Sequence, residues 1–411
     1  MKNLIFSPAD FCLPPYASSD PAWTKWAVIA CDQFTSEPSY WEDAARLVGD
    51  APSALRLILP EAYLESEREN THKQIIAAAM SALGDTLHTW ENSMLYLERT
   101  LPDGRIRRGL VGKIDLEAYD YSVGSSSAVR ATEATVLERI PPRVAIRSAA
   151  AYELPHVMVL MNDTVGLFAH LSAHRDAYMP LYDFPLMQGG GHAAGWRLCG
   201  DALDAAAEKI AAYESSRVGG LVYAMGDGNH SLASARAHYL HLKEKLGEGA
   251  LTHPARFALV EMVALEDPAL DFEPIYRVVT DCDPADVLAA LDTVTQDGGV
   301  GGQSVTVVTA AGKRTRCFVT PTHALTVGTL QEFIDAYIAN HPGVKCDYIH
   351  DEESLCALAE RDGCVGFLFD GMKKEELFPY VLSYGTLPRK TFSMGEARSK
   401  RYYIEARKIV E

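Results

Sequence analysis

Apolar residues recur along the chain with two different spacings, which together predict a protein that mixes helices and strands. Spacings of three and four residues are typical of amphipathic helices, and short β-branched or aromatic runs are typical of strands. Helices are predicted at 39–49, 61–83, 201–213, 230–246, 284–292 and 329–339. Strands are predicted at 26–30, 94–100, 105–113, 155–161, 164–171, 218–225, 304–309 and 314–319. Because these elements do not alternate in the strict order of a doubly wound sheet, the pattern favours an α+β fold, a mixed α/β protein.

The same elements predict two regions of unequal size, with a boundary between residues 249 and 270. We place residues 1–255 in a larger region built on a mixed sheet with helices. Residues 256–411 form a smaller α/β region, which we expect to contribute a basic segment to a site in the first. A hairpin is expected around Pro102-Asp103-Gly104, because proline and glycine are turn residues and strand-like runs lie on both sides.

Composition and charge narrow the classes of function. The chain has 411 residues, 48% of them hydrophobic, and a net charge of −17, so we do not expect it to bind a nucleic-acid backbone. No apolar run approaches the ~20 residues of a membrane span. The eight cysteines form no CxxC pair, which is typical of reduced thiols in a cytoplasmic protein. We therefore expect a small anionic partner; the oligomeric state is not indicated.

The strongest local signal is a glycine-rich turn between an apolar strand and a helix. The strand runs into Gly226-Asp227-Gly228-Asn229, and the helix is predicted to open at about His230. Glycine permits a positive φ or a close approach of the backbone to a ligand, and asparagine is a good N-cap. Free amides and the positive end of the helix dipole then form a site for an anion.

Three polar side chains lie at the mouth of this turn: Asp227, His230 and Ser231. A carboxylate, an imidazole and a hydroxyl at one place can bind a metal ion or move a proton. The alternative is an ordinary capped turn with no function. The spacing alone favours neither hypothesis.

Two basic segments stand out against the negative charge of the whole chain. The first, 128–150, contains Arg130, Arg139, Arg143 and Arg147 together with Glu133 and Glu138. The second, 386–411, has seven basic and three acidic residues and begins with Arg389 and Lys390 close to Pro388. Arginine is suited to phosphate and carboxylate, so each segment is a candidate anion site. The alternatives are a solvated face of ion pairs for the first and an unstructured tail for the second.

The turn and both basic segments resemble one family, the domain-of-unknown-function family 1015, which is widespread in bacteria. The resemblance rests on GDGNHS, VRATEATVLERIPPR and LPRKTFSMGEARSKRYY, and further matching strings lie at 25–41, 109–121, 153–163 and 271–279. The family's Asp-Gly-His-His-Arg turn is similar to the nucleotide-phosphate turn of the ParB and sulfiredoxin-like superfamily, whose members include kinases of free serine. The resemblance thus implies a ParB/sulfiredoxin-like first region, with ATP or ADP and Mg²⁺ as cofactors.

Carried onto this chain, the family turn departs from its pattern in two places. Asn229 stands where the family has its first histidine, and Ser231 stands where it has arginine, so the expected phosphate-binding cation is missing. Arg236 on the same helix, or Arg389 and Lys390, could replace it. Glu133 resembles the family glutamate that orients or deprotonates a substrate hydroxyl.

The leading hypothesis is a nucleotide-dependent phosphotransferase that acts on a small hydroxylated metabolite, possibly serine-like. Its predicted catalytic residues are Glu133 as base, Asp227 as the Mg²⁺ ligand, and His230. The residues predicted to bind the cofactor are Gly226, Gly228, Asn229, Ser231, Arg130, Arg143, Arg236, Arg389 and Lys390. The alternative is a nucleotide or metabolite sensor without catalysis. A metal-dependent hydrolase that uses Asp227, His230 and another histidine such as His156 or His174 is less favoured, because the metal-ligand spacings are missing.

Overall fold

The computed structural model describes residues 4–63, 68–83, 86–154, 156–217, 220–298 and 302–411. The chain divides into two compact units. The first comprises Met1–Leu270 and Glu396–Glu411, and the second comprises Asp271–Gly395. Across the described residues, every helix is too short or too polar to span a membrane.

Helices and a large mixed sheet make up the first unit. Its helices are α1 (Ala22–Trp26), α2 (Pro38–Val48), α3 (Arg68–Leu83), α4 (Ile140–Ala149), α5 (Leu167–Ala173), α6 (Asp201–Ser216) and α7 (Asn229–Leu246). Its strands up to residue 270 are β1 (Phe6–Ser7), β2 (Ala9–Leu13), β3 (Val28–Ile29), β4 (His88–Thr100), β5 (Ile106–Asp115), β6 (Tyr119–Asp120), β7 (Val129–Arg130), β8 (Tyr152–Glu153), β9 (Met158–Met161), β10 (Met179–Pro185), β11 (His192–Leu198), β12 (Tyr223–Asp227) and β13 (Phe257–Ala264).

The main sheet has the strand order β10-β11-β4-β5-β13-β9-β12-β7-β6. Parallel pairs (β9 with β13, β12 with β7) lie beside antiparallel pairs (β5 with β13, β9 with β12), so the predicted mixed α/β fold is confirmed. Both faces of the sheet are covered. Leu95 and Leu97 of β4 belong to one hydrophobic core, while Met94 and Tyr96 belong to the other, as expected for alternating side chains.

The register of three neighbouring strands positions the glycine turn. β7 runs parallel to β12 with Arg130 opposite Ala224, and β9 runs antiparallel to β12 with Met158 opposite Asp227. The carboxyl ends of β7 and β12 and the amino end of β9 therefore share one edge of the sheet. Residues that follow Arg130, residues that precede Met158 and the turn after Asp227 meet there.

The second unit contains a smaller sheet in the order β16-β18-β17-β20-β15-β19. Its strands are β14 (Phe272–Pro274), β15 (Tyr276–Thr280), β16 (Thr295–Asp297), β17 (Ser304–Thr309), β18 (Gly312–Phe318), β19 (Lys345–Ile349), β20 (Val365–Leu368) and β21 (Phe392–Met394). Its helices are α8 (Pro284–Asp292), α9 (Thr326–Asn340), α10 (Glu352–Ala359) and α11 (Leu377–Tyr384). Buried residues of α8 and α9 pack with the sheet in one core.

The C-terminal segment belongs to the first unit, where β22 (Tyr402–Tyr403) pairs with β3 and β23 (Arg407–Lys408) pairs with β8. This division differs from the predicted regions 1–255 and 256–411. β13 pairs with β5 and β9, which carries the first unit past residue 255 to Leu270, the end of the predicted boundary range. The pairings of β22 and β23 exclude the alternative of an unstructured tail.

Most predicted elements are confirmed, including the hairpin of β4 and β5, but one strand is wrong. Residues 164–171 were expected to form a strand, and the structure has α5 there instead. The Asp163 carboxylate accepts hydrogen bonds from the amides of Leu167 and Phe168, which begins the helix. Three predicted elements (61–83, 155–161 and 218–225) fall partly on residues 64–67, 155 and 218–219, which lie outside the described part of the chain.

Candidate functional site

The glycine turn follows the predicted strand–turn–helix order, but its cap differs. Gly228, with φ +79° and ψ +29°, is the N-cap of α7 and has a left-handed backbone. A Cβ at this position would lie 3.0 Å from Cα of Val157, so glycine is required for space as well as for conformation. Asn229 is the first helical residue, so the predicted Asn229 cap is wrong. Its Oδ1 atom is buried without a hydrogen-bond partner.

A lysine from the C-terminal segment lies at this turn. Nζ of Lys400 is 3.2 Å from Oδ2 of Asp227, with side-chain exposures of 12% and 23%. Burial raises the pKa of the Asp227 carboxyl, but Lys400, His156 and the Gly228 amide outweigh burial and hold that pKa below its usual value. Lys400 thus supplies a cation at the end of β12, in a motif that lacks the family arginine. The sequence analysis singled out its segment but not this residue.

The metal role predicted for Asp227 is not supported by its surroundings. The Oδ1 atom accepts from the Gly228 amide at 2.8 Å, and Oδ2 faces Lys400. Within the described ranges, no three His, Cys, Asp or Glu side chains are grouped so that they could hold a metal ion. This donor set does not fit a Mg²⁺ ion bound by the protein alone.

His230 and the segment after β7 are held together over the start of α7. Nε2 of His230 accepts a hydrogen bond from the Val136 amide at 3.2 Å, so this nitrogen is not protonated. The Thr132 hydroxyl donates to the Met225 carbonyl at 2.8 Å. Glu133 follows Thr132 directly, and by register it lies at the edge where β12 ends. The structure therefore brings Glu133, Asp227 and His230 to one region of the first unit.

The predicted arginines of the first unit have separate partners. Nε of Arg130 donates to the Ser127 carbonyl at 2.7 Å, and burial lowers the pKa of Arg130. Arg143 forms an ion pair with Glu61. Arg236 donates to the Leu116 carbonyl at 3.1 Å, which directs its guanidinium away from the first turn of α7. The proposed substitution of Arg236 for the missing family arginine stays a prediction.

Two arginines of the first basic segment are neutralised by carboxylates. Nη2 of Arg147 lies 2.6 Å from Oε2 of Glu153. Together with the pair of Arg143 and Glu61, this bond uses carboxylates from outside 128–150. Arg143 and Arg147 are thus tied to carboxylates of the first unit that lie outside this segment.

Arg389 and Lys390 lie in the second unit, where they are held by a buried arginine. Arg277 donates to the carbonyl oxygens of Arg389 at 2.7 Å and Lys390 at 3.1 Å. The Arg389 side chain also lies 3.0 Å from Asp335 and stacks over Tyr348. These contacts fix the backbone around Lys390, whose φ is +55°. Their predicted cofactor-binding role stays a prediction.

A cavity of about 480 Å³ in the first unit is lined by α4 and the first turns of α7. Its polar lining includes Ser231, Arg143 and His156, while Ile58, Ile146 and Val157 are among its apolar walls. A cavity of this size and character is typical of a small-molecule site. Ser231 links it to the glycine turn.

The first unit is therefore a mixed α/β structure with a ligand-sized cavity beside a strand–glycine–helix turn. The chain belongs to the family described as "Protein of unknown function (DUF1015)", whose model matches residues 13–337. This match confirms the resemblance stated from the motifs. Among proteins with curated functions, none matches the sequence significantly.

Solved structures similar to this chain include a conserved hypothetical protein from Pyrococcus furiosus, with 11% identity and a TM-score of 0.35. A C-terminally truncated SbnI from Staphylococcus aureus has 9% identity and a TM-score of 0.36. A free serine kinase mutant in complex with AMP has 10% identity and a TM-score of 0.38. The three matches cover 72%, 73% and 72% of this chain and 94%, 83% and 90% of theirs.

Proposed function

We propose that this protein binds a nucleotide, ATP or ADP, and transfers a phosphoryl group to a small hydroxylated metabolite, with a serine-like amino acid as the first substrate to test. The observation that carries the proposal is the position of Lys400 beside Asp227, where β12 ends and α7 begins. A cation next to a helix N-terminus is suited to a phosphate group. A small anionic partner and a cytoplasmic location belong to the same proposal.

The turn offers three features that a phosphate needs. Gly228 supplies the left-handed turn from β12 into α7, packed on Val157 where a side chain would not fit. The 18-residue helix α7 directs the positive end of its dipole toward the turn, and its first turn has no side-chain cap. Lys400 adds a full positive charge, which Asp227 holds in place.

Other residues of the first unit would serve the second substrate. Ser231 and Arg143 line the adjoining cavity, where a hydroxyl and a guanidinium can bind polar groups of a metabolite. Glu133 is proposed to orient the substrate hydroxyl, and Arg130 to offset negative charge at the same edge. Positioning and charge neutralisation are the main contributions that phosphoryl transfer requires from a protein.

Isothermal titration calorimetry with ATP and with ADP tests this proposal. Each titration is run with and without Mg²⁺, because the groups around Asp227 do not form a Mg²⁺ site by themselves. We expect saturable binding of both nucleotides at micromolar to millimolar concentrations and weaker binding of adenosine, which lacks the phosphates. Absence of a binding signal at millimolar nucleotide in every condition would overturn the proposal.

A nucleotide or metabolite sensor is the second candidate, and two contacts favour it. Nε2 of His230 accepts from the Val136 amide, and the Asp227 carboxylate is held by Lys400, so neither group is poised to move a proton. A coupled assay for ADP formation distinguishes the candidates. Steady ADP formation in the presence of L-serine or another small alcohol rules out a pure sensor, while tight binding without turnover rules out the transferase.

A further inference from the structure

Three sequence segments that are far apart meet at the cavity beside the glycine turn. Cys31 and Asp32 directly follow the β3 region, and the pairing of β3 with β22 sets Tyr403 opposite Val28. His156 precedes β9, whose Met158 is paired with Asp227. Cys31, His156 and Tyr403 all line the cavity.

A chain of hydrogen bonds fixes the histidine. The Cys31 amide donates to the Tyr403 phenol oxygen at 3.3 Å, and the phenol donates its proton to the Cys31 sulfur at 3.1 Å. Nδ1 of His156 lies 2.7 Å from the same phenol oxygen. Because a phenol has one proton and the sulfur accepts it, Nδ1 is the donor to Tyr403. The other ring nitrogen, Nε2, is then the one that can accept a proton.

Nε2 of His156 lies 3.6 Å from Oδ2 of Asp32. This distance is longer than a hydrogen bond, yet both atoms are within reach of one ligand hydroxyl placed between them. A histidine that acts as a general base is oriented through its other ring nitrogen, here by the bond of Nδ1 to Tyr403, and Asp32 can pair with the imidazolium that forms. His156 is only 6% exposed, so its orientation is fixed by its surroundings.

The neighbouring groups are poor proton acceptors. Burial, with a smaller contribution from Asp32, raises the pKa of the Cys31 thiol to about 12. Burial, followed by Cys31 and Asp32, raises the pKa of Tyr403 well above its usual value. Both groups stay protonated at neutral pH and serve to hold His156. The register of β9 on β12, with Met158 opposite Asp227, places His156 near the turn proposed to bind the phosphate.

We propose that the cavity is the binding site of the hydroxyl-bearing substrate and that His156, supported by Asp32, is the catalytic residue that accepts the hydroxyl proton. The proposal rests on the nucleotide-dependent function above. The substrate O–H gives its proton to Nε2, and the imidazolium that forms is paired with Asp32. The substrate oxygen forms a bond to the terminal phosphorus of the nucleoside triphosphate as the bond to the nucleoside diphosphate breaks, and the diphosphate leaves. Glu133 orients the hydroxyl, and Tyr403 is a positioning residue.

The test compares His156→Gln with the wild-type protein by ADP formation from ATP, with L-serine, glycerol and water as acceptors. We expect kcat to fall about 100-fold or more for the best acceptor, while the ATP affinity measured by calorimetry stays within about threefold, because only the proton acceptor is removed. His241→Gln, an exposed histidine on α7, is the matched control and keeps the wild-type kcat. Tyr403→Phe keeps the ring but releases Nδ1, and we expect a smaller loss, about tenfold in kcat.

The outcomes separate the two proposals. A His156→Gln variant that is folded by circular dichroism and keeps kcat within about threefold overturns the role of His156. Wild-type protein that binds ATP but forms no ADP with any of the acceptors also overturns it, while nucleotide binding stands. Wild-type protein that does not bind ATP overturns the proposed function, and the role of His156 fails with it. If His156→Gln does not fold, Tyr403→Phe is the variant that tests the proposal. Values of kcat and acceptor KM equal to those of the wild-type protein would then contradict the role of His156.

Discussion

Nζ of Lys400 lies 3.2 Å from Oδ2 of Asp227, at the point where β12 ends and α7 begins. The two residues belong to different stretches of the first unit, Met1–Leu270 and Glu396–Glu411, and the pairing of β22 with β3 brings the lysine to the turn. The contact provides a cation where the local sequence has none. It is the relationship on which the proposed nucleotide site depends.

Replacing this lysine tests its role in binding. We expect Lys400→Met to weaken ATP binding about 10- to 100-fold, because a charge-assisted contact to phosphate is worth roughly 1.5–3 kcal/mol. Calorimetric titration with ATP measures the change. Lys408→Met, an exposed lysine of β23, is the matched control and is expected to bind ATP as the wild-type protein does. Equal affinity for both variants would show that Lys400 does not contact the nucleotide.

A substitution at Gly228 tests the shape of the turn. We expect Gly228→Ala to lower the free energy of unfolding by about 2–4 kcal/mol, from left-handed strain of about 1–2 kcal/mol plus crowding against Val157. Urea denaturation measures the loss. Gly166→Ala is the matched control, because Gly166 is also a left-handed N-cap but a Cβ there meets nothing within 4 Å. Equal losses in the two variants would contradict the close packing of Gly228 on Val157.

His238 on α7 is expected to make stability depend on pH. Burial, followed by the charges of Arg147, His253 and His241, lowers its pKa to about 4, and Glu153 opposes this shift. The unfolded chain, with a histidine pKa of ~6.5, binds a proton that the folded state rejects, so stability falls as the pH drops from ~6.5 to ~4. The loss from this group approaches about 3 kcal/mol. Urea denaturation of His238→Leu across this range should show a shallower decrease than the wild-type protein, and parallel curves would contradict the assignment.

Arg401 anchors the C-terminal segment through buried charges. Its guanidinium lies 3.1 Å from Glu261 and 2.6 Å from Glu405, and all three side chains are buried. We expect Arg401→Met to destabilise the protein by about 3–5 kcal/mol, because Glu405 loses its cation and Glu261 keeps only Arg107, 3.5 Å away. The double variant Arg401→Met/Glu405→Gln should recover part of this loss in urea denaturation, since one of the unpaired charges is removed. No recovery would contradict a charge-based cause.

Local sequence signals account for much of the first unit. The hairpin around Gly104 and the turn at Gly228 were predictable because both rest on glycines with positive φ between clear elements. The strand predicted at 164–171 is wrong because the Asp163 carboxylate accepts hydrogen bonds from the first amides of α5. The apolar pattern of these residues does not reveal that contact. β11 begins inside a glycine-rich stretch whose composition is typical of a loop. Gly195 lies within this strand because the Tyr182 ring packs where a side chain would be.

The site was only partly predictable, because its missing members come from long-range pairing. Arg389 and Lys390 were chosen from the second basic segment, yet the chain returns to the first unit only after Gly395. Lys400 and Tyr403 lie in that returning part. The charge of this segment indicated a candidate anion site, but not the strand against which the segment packs. Likewise, only the register of β9 against β12 places His156 near the glycine turn, and the local sequence does not indicate that register.

The most direct test of the central claim is hydrogen–deuterium exchange of residues 226–232, measured with and without ATP. If phosphate binds at the start of α7, exchange of the amides in this peptide should slow by about tenfold or more with ATP, and the effect should disappear in Lys400→Met. ATP binding that leaves residues 226–232 unchanged while it protects another part of the chain would contradict the claim.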